Sequence, residues 1–193
     1  EETPVYFGEK MYRDQTGVEI KCAANKTSDN YWYAKQYVSF ADAWQDIAEE
    51  ARNVASDGAL SAEESARLLT DSGVGTGKQL PAGNTYTFPG NTFSLGQVLD
   101  LKGLQPGQDT TIILTGTEVT IPWIYLDGTV PDGQAESGYN SGIVFICPDA
   151  TSVKGNQVTG HLVAPNANVE YSGGFYNGCV IAKSLNATGP EGH

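Results

Sequence analysis

A mainly β protein, with strands stacked as successive coils of a parallel β-solenoid and one long α-helix packed alongside, is the fold class the sequence predicts; a β-sandwich is the alternative. Three observations lead there. Short runs of Val, Ile, Thr and Tyr alternate with Gly, Asn, Pro and Asp in a chain of 193 residues that holds 23 glycines and only 18% charged residues, the profile of strands punctuated by turns. One segment, 40 to 56, has its apolar residues at helical spacing. Near the end, one apolar phrase is written three times, as "VFICPDA" from Val144, "HLVAPNA" from His161 and, within "GCVIAKSL" from Gly178, "VIAKSL". Laid over each other, these copies put Phe145, Leu162 and Val180 in one column and Cys147, Ala164 and Ala182 in another. Copies at a short fixed spacing are what stacked units of structure look like in sequence.

The elements follow in order. Residues 5 to 38 read as short strands and turns: "VYFGEKMY", then "GVEIKCA" with Val18, Ile20 and Cys22 on one face, then the aromatic run "NYWYAKQY". In "SFADAWQDIAEEARNVASDG", Phe40, Trp44, Ile47, Ala51 and Val54 form a helical stripe, with Ser39 and Asp42 as capping box and Gly58 as stop. A shorter helix is expected at "SAEESARLLTD", where Ser61 and Glu64 repeat the capping pattern. Beyond "DSGVGTGKQLPAGN" only strands are expected: "TYTF", "GQVLDLKGL", "TTIILTGTEVTIPWIYL" and the three copies. In the copies both strand faces are apolar, because Val144, Ile146, Val163 and Ile181 oppose the Phe145 and Cys147 columns. Such a sheet must be covered on both sides, by the coil's own interior and by the 40 to 56 helix.

The length suits a single domain spanning 1–193. A net charge of -12, with no local cluster of Lys and Arg, repels phosphate backbones and anionic lipids, so neither nucleic acid nor a membrane surface is an expected partner. No apolar run approaches the ~20 residues needed to cross a bilayer, and "EETPVYFGEK" does not read as a signal peptide. The chain is therefore expected to be a mature or excised piece of a larger protein. Cys22, Cys147 and Cys179 stand in no CxxC or Cys/His metal spacing. Cys147 reads as a buried small hydrophobe, and a Cys22–Cys179 bridge is left open.

The run "TTIILTGTEVTIP" and the segment from Gly142 to His193 resemble the bacterial choice-of-anchor A family, a cell-surface adhesin-like domain. The likeness lies in Pro148-Asp149-Ala150, Ala164-Pro165-Asn166-Ala167, Asn177-Gly178, Val180 to Lys183, and Glu191 with His193. Cys147 and Cys179 depart from the family's polar residues at those places. The resemblance implies a right-handed β-solenoid with a helix alongside, displayed on a bacterial surface through an anchor that other parts of the parent protein supply. It implies no catalytic residues.

Candidate chemistry is sparse. "SGVGTGKQ" has Ser72 and Gln79 where a phosphate-binding loop needs Gly and Ser or Thr, so it reads as a flexible loop. There are 2 histidines; His161 falls in a strand column and reads as a packing residue. Asp127, Asp132, Glu136 and Asp149 are the acids to weigh for a polysaccharide hydrolase. Three of them crowd one turn-rich connection instead of converging from adjacent strands, and their spacing fits no calcium loop. No enzyme activity, cofactor or metal is expected. Aromatic residues with polar tips suit recognition of protein or sugar, so the ligand-binding candidates are Tyr31, Trp32, Tyr33, Trp123, Tyr125 and Asp127. The function expected from the resemblance, with these residues as the contacts, is that of an extracellular adhesin domain binding a host or surface protein or glycan without catalysis. The rivals are a carbohydrate-active enzyme and an ice-binding solenoid, the latter needing a threonine column that the copies lack.

Overall fold

The structure is a computed structural model that describes residues 11–13, 19–21, 40–56, 58–73, 75–105, 108–130, 142–188 and 191–192. In chain order the elements are β1 (Met11–Arg13), β2 (Glu19–Lys21), α1 (Phe40–Ser56), α2 (Ala62–Leu68), β3 (Thr70–Asp71), β4 (Lys78–Pro81), β5 (Thr85–Pro89), β6 (Val98–Lys102) and β7 (Thr110–Thr115). They continue with β8 (Glu118–Thr120), β9 (Trp123–Leu126), β10 (Ile143–Ile146), β11 (Ser152–Gly155), β12 (Val158–Thr159), β13 (His161–Ser172), β14 (Phe175–Asn177), β15 (Val180–Thr188) and β16 (Glu191–Gly192). The chain divides into two compact units, Glu1–Glu49 and Glu50–His193. In the first, β1 and β2 pair antiparallel with Tyr12 opposite Ile20, and the first turns of α1 follow. The Trp44 side chain lies outside the described residues, and Ile47 is half-buried.

The second unit is mainly β. Every strand pairing described in it is parallel except that of β3 with β4. Apart from β3 and β4, neighbours in space are two or more strands apart in sequence: one path runs β5-β7-β10-β13-β11-β8 with β15 beside β13, another β3-β4-β6-β9, a third β12-β14-β16. Parallel pairs need crossover connections, which sets the antiparallel sandwich aside. The sheets nearly close around one apolar interior.

Register explains the repeated phrase. Tyr86 pairs with Ile112, Ile112 with Phe145, Phe145 with Leu162, and Leu162 with Val180. All five side chains belong to the main core, with Val180 partly buried at its margin. The expected Phe145, Leu162 and Val180 column is thus a real one, two strands longer than the sequence repeats suggest. One position along, Ile113 and Ile146 point the other way and meet Ala51 of α1, with Val54, Val144 and Val163 packed around them. The part of α1 in this unit therefore covers the second apolar face of the strands.

Among the described residues the helices stand at the two places expected, but neither is long: α1 has 17 residues and α2 has 7, and Gly58, at φ +70, turns the chain between them in a conformation that glycine adopts without strain. The shorter one carries the expected capping box: Ser61 Oγ accepts from the Glu64 N–H, and the Glu64 carboxylate accepts from the Ser61 N–H. It is tied to β5 by Ser65, which is fully buried, accepts from the Thr87 N–H at 2.9 Å and donates to the Leu60 carbonyl at 3.3 Å. Removing that hydroxyl leaves a buried backbone donor without its partner. Ser65→Ala is expected to cost about 1–3 kcal/mol, read as a lower urea midpoint with an unchanged slope.

The Pro-Asp-Ala and Pro-Asn-Ala phrases make a corner. β13 pairs with β10 through its first half and with β11 through its second, and the register shifts between Ala164 and Asn168. There Asn166 Nδ2 donates to the Pro148 carbonyl at 3.3 Å, and Ala150 and Ala167 are fully buried, small enough to turn inside the core. Arg52 Nε lies 3.4 Å from the Asp149 carboxylate, an exposed pair of small energetic value.

Candidate functional site

The best-defined cluster of expected ligand-binding residues lies on the sheet of β4, β6 and β9. Register sets Leu99 beside Ile124, and Leu80 beside Leu101, all four buried in the main core. Alternation along a strand sends the intervening row Gln79–Asp100–Tyr125 and the pair Val98–Trp123 to the opposite, outer side. Trp123 and Tyr125 therefore share one face, both half-buried.

Neighbours fix this face. The Trp123 indole N–H donates to Asn156 Oδ1, which holds the ring at one angle. Asp100 is 1% exposed, a costly place for a carboxylate unless its oxygens are paired. They are paired: Oδ2 lies 2.6 Å from Lys102 Nζ, and Oδ1 accepts from the Gly128 N–H at 2.9 Å. Gln79 Nε2 donates to Thr70 Oγ1 at 3.1 Å, and Lys78 Nζ sits 2.7 Å from Asp71, whose carboxyl is held below its ordinary range by that lysine.

Asp127 occupies the turn after β9 at φ +50, a conformation aspartate tolerates better than most residues. Its Oδ1 accepts from the Gly103 N–H at 3.1 Å, so the side chain braces the turn while remaining exposed. Trp123, Tyr125 and Asp127 are thus brought together on one strand and its turn, while Tyr31, Trp32 and Tyr33 lie outside the described residues. Gln79, Asp100, Lys102 and Asn156 join the cluster without having been picked out from sequence. The signal for Asp100 was present, as a lone acid at an alternating position inside "VLDLK".

The other reactive side chains are committed elsewhere. Asp149 faces Arg52, and Asp132 and Glu136 lie outside the described residues. His161 Nδ1 accepts from the Cys179 N–H at 3.1 Å, a bond that ties neighbouring strands. Cys147 is fully buried and free, and burial pushes its thiol far up from the ordinary range, which keeps it protonated and inert. Cys179 is an exposed free thiol; Cys22 lies outside the described residues. Among the described residues no three His, Cys, Asp or Glu side chains gather as metal ligands, and no helix is long and apolar enough to cross a membrane.

A family model described as an ice-binding-like adhesive domain matches residues 5–193. The chain belongs to that family. No curated protein and no solved structure matches it. Membership makes this an adhesive domain, with an external ligand, a surface or extracellular setting and a role that points away from catalysis. It supports the adhesin-like expectation but not the narrower choice-of-anchor A placement, which rests on the sequence phrases alone. The exposed columns of the adhesive domain's other polar sheet, Glu118–Ser152–Asn168–Ser184 and Thr120–Lys154–Glu170–Asn186, mix both charges with short polar groups. They hold no repeated threonine of the kind a flat ice-matching array needs.

Proposed function

We propose that the chain is a non-catalytic adhesin module of a bacterial cell surface, a single right-handed β-solenoid domain that presents a preformed surface to an extracellular protein or glycan. Other parts of the parent protein would anchor it, by a mode akin to that of the choice-of-anchor A proteins. The solenoid reading is supported by the order in which the chain visits its parallel ladders: β6, β7, β8, then β9, β10, β11 beside them, and then the two halves of β13 beside β10 and β11, while β12 opens a further parallel ladder with β14. The handedness follows from the general rule for parallel crossovers. The family match across 5–193 supports a single domain.

One observation carries the functional reading: two large aromatic side chains stand together on the outer side of a sheet whose inner side is fully packed. An aromatic on a rigid support loses little freedom when a ligand covers it, so contact converts to affinity with a small ordering cost. Tyr31, Trp32 and Tyr33 are proposed as further ligand contacts. The acids offer no catalytic alternative of equal weight, since Asp100, Asp127 and Asp149 are each engaged in a structural bond.

The test is binding of the folded domain to immobilised extracellular-matrix proteins and glycans, with hydrolysis of the same glycans followed in parallel. Trp123→Ala and Tyr125→Ala are each expected to weaken capture by about 1–2 kcal/mol or more. Lys154→Ala, on the other polar sheet, should leave it unchanged. If both aromatic variants melt like the parent and bind like it, the surface is misplaced; glycan turnover lost in Asp127→Asn would overturn the non-catalytic reading.

A further inference from the structure

We propose that the Trp123–Tyr125 face takes a neutral glycan chain, in preference to an acidic glycan or a protein; this rests on the reading above that the face is the binding surface. A sugar ring presents C–H groups on its faces and hydroxyls around its rim. Its complement is an aromatic plane with hydrogen-bonding groups beside it, held still. That arrangement is what β4, β6 and β9 provide. Trp123 and Tyr125 alternate with Ile124 along one strand, which sets their Cα atoms roughly 7 Å apart. The indole is held by Asn156, and the Gln79 amide, in the same row as Tyr125, is held by Thr70.

Charge selects among glycans. Lys102, which alternation puts on this face with Asp100, is paired with that buried carboxylate, while Lys78 stands in the opposite-facing row of Leu99 and is paired with Asp71. A uronate or sialic acid would therefore find the cation of this face already neutralised, in a chain whose net charge is -12, and repulsion would dominate. Placement favours a sugar over a protein partner. Protein hot spots cluster in well-packed, desolvated pockets, whereas this aromatic pair stands half-buried on the outer side of a sheet, with the fixed amides of Gln79 and Asn156 beside it.

The experiment presents the whole chain with immobilised neutral oligosaccharides, namely β-1,4-glucan, N-acetylglucosamine chains, mannan and galactan, beside uronate and sialylated chains and a set of matrix proteins. Capture of a neutral chain is expected, with an affinity nearly independent of salt. It should fall about tenfold or more in Trp123→Ala and less in Asn156→Ala, which frees the indole without removing it. Preference for the acidic chains overturns the charge argument. Capture of a matrix protein alone, lost in Trp123→Ala, overturns the glycan assignment while leaving the binding surface in place. Neutral-glycan capture that survives both Trp123→Ala and Tyr125→Ala in folded protein overturns the surface itself, and capture of no probe overturns the glycan proposal.

Discussion

Gly160→Ala and Gly178→Ala are each expected to lower the unfolding free energy by about 2–6 kcal/mol, combining roughly 1–3 for an unfavourable backbone conformation with roughly 1–3 for overpacking. Both glycines open a copy of the repeated phrase, and both have positive φ, +118 at Gly160 and +146 at Gly178. Space is the second obstacle. A Cβ on Gly160 would stand 2.7 Å from the Ile143 carbonyl oxygen, and one on Gly178 only 2.1 Å from the carbonyl oxygen of Gly160. These are backbone atoms of the neighbouring strand and cannot swing aside, so relief requires the strands to part. Gly103→Ala is the control, since that position has φ +72 but nothing within 4 Å of the added carbon. It should show only the left-handed penalty, ~1–2 kcal/mol. Urea denaturation of the three variants checks the contrast.

Phe145→Ala is expected to cost about 3–5 kcal/mol. The ring is 0% exposed and lies between Ile112 and Leu162 in the continuous column. Its neighbours are themselves held from both sides, so the space it leaves cannot collapse easily, and residual cavity adds to the lost burial. The same deletion at the margin should be far milder. Leu185 continues the column of Val119, Val153 and Val169, yet it is 50% exposed where Val169 is 1%. Leu185→Ala therefore removes much less buried surface, and its loss is expected to stay under about 1 kcal/mol. Equal losses for Phe145→Ala and Leu185→Ala would mean that the column is not stacked as described.

Much of the fold was legible because its signals are local or periodic. The phrases beginning at Val144, His161 and Val180 carry the register of three strands in their own spacing, and the Ser61–Glu64 box and the 40 to 56 stripe mark helices within a few residues. What the sequence could not show is what lies across space. The earlier members of the column, Tyr86 and Ile112, belong to phrases with no visible likeness to "VFICPDA", since they share only a position in the stack. The helices over 40–56 and 62–68 fall where the apolar stripe, Gly58 and the second capping box place them, though neither is long. At the candidate site, alternation alone put Trp123 and Tyr125 on one side of a strand. The partners that hold the face in place are far along the chain, Asn156 beside Trp123 and Gln79 in the row of Tyr125, and no local pattern joins them. Asp127 was read as a ligand contact from its acidic loop, and its bond to the Gly103 amide adds a role in the turn.

The central claim, that the repeated phrases are neighbouring parallel strands, is tested most directly by nuclear Overhauser contacts between backbone protons of the isotopically labelled chain. Parallel stacking predicts Hα-to-amide contacts linking residues 144–146 with 161–163, and 162–164 with 180–182, at the pairings Phe145–Leu162 and Leu162–Val180. Close Hα–Hα contacts between these segments, or contacts that fold each phrase back as a hairpin on its own sequence neighbour, would contradict it.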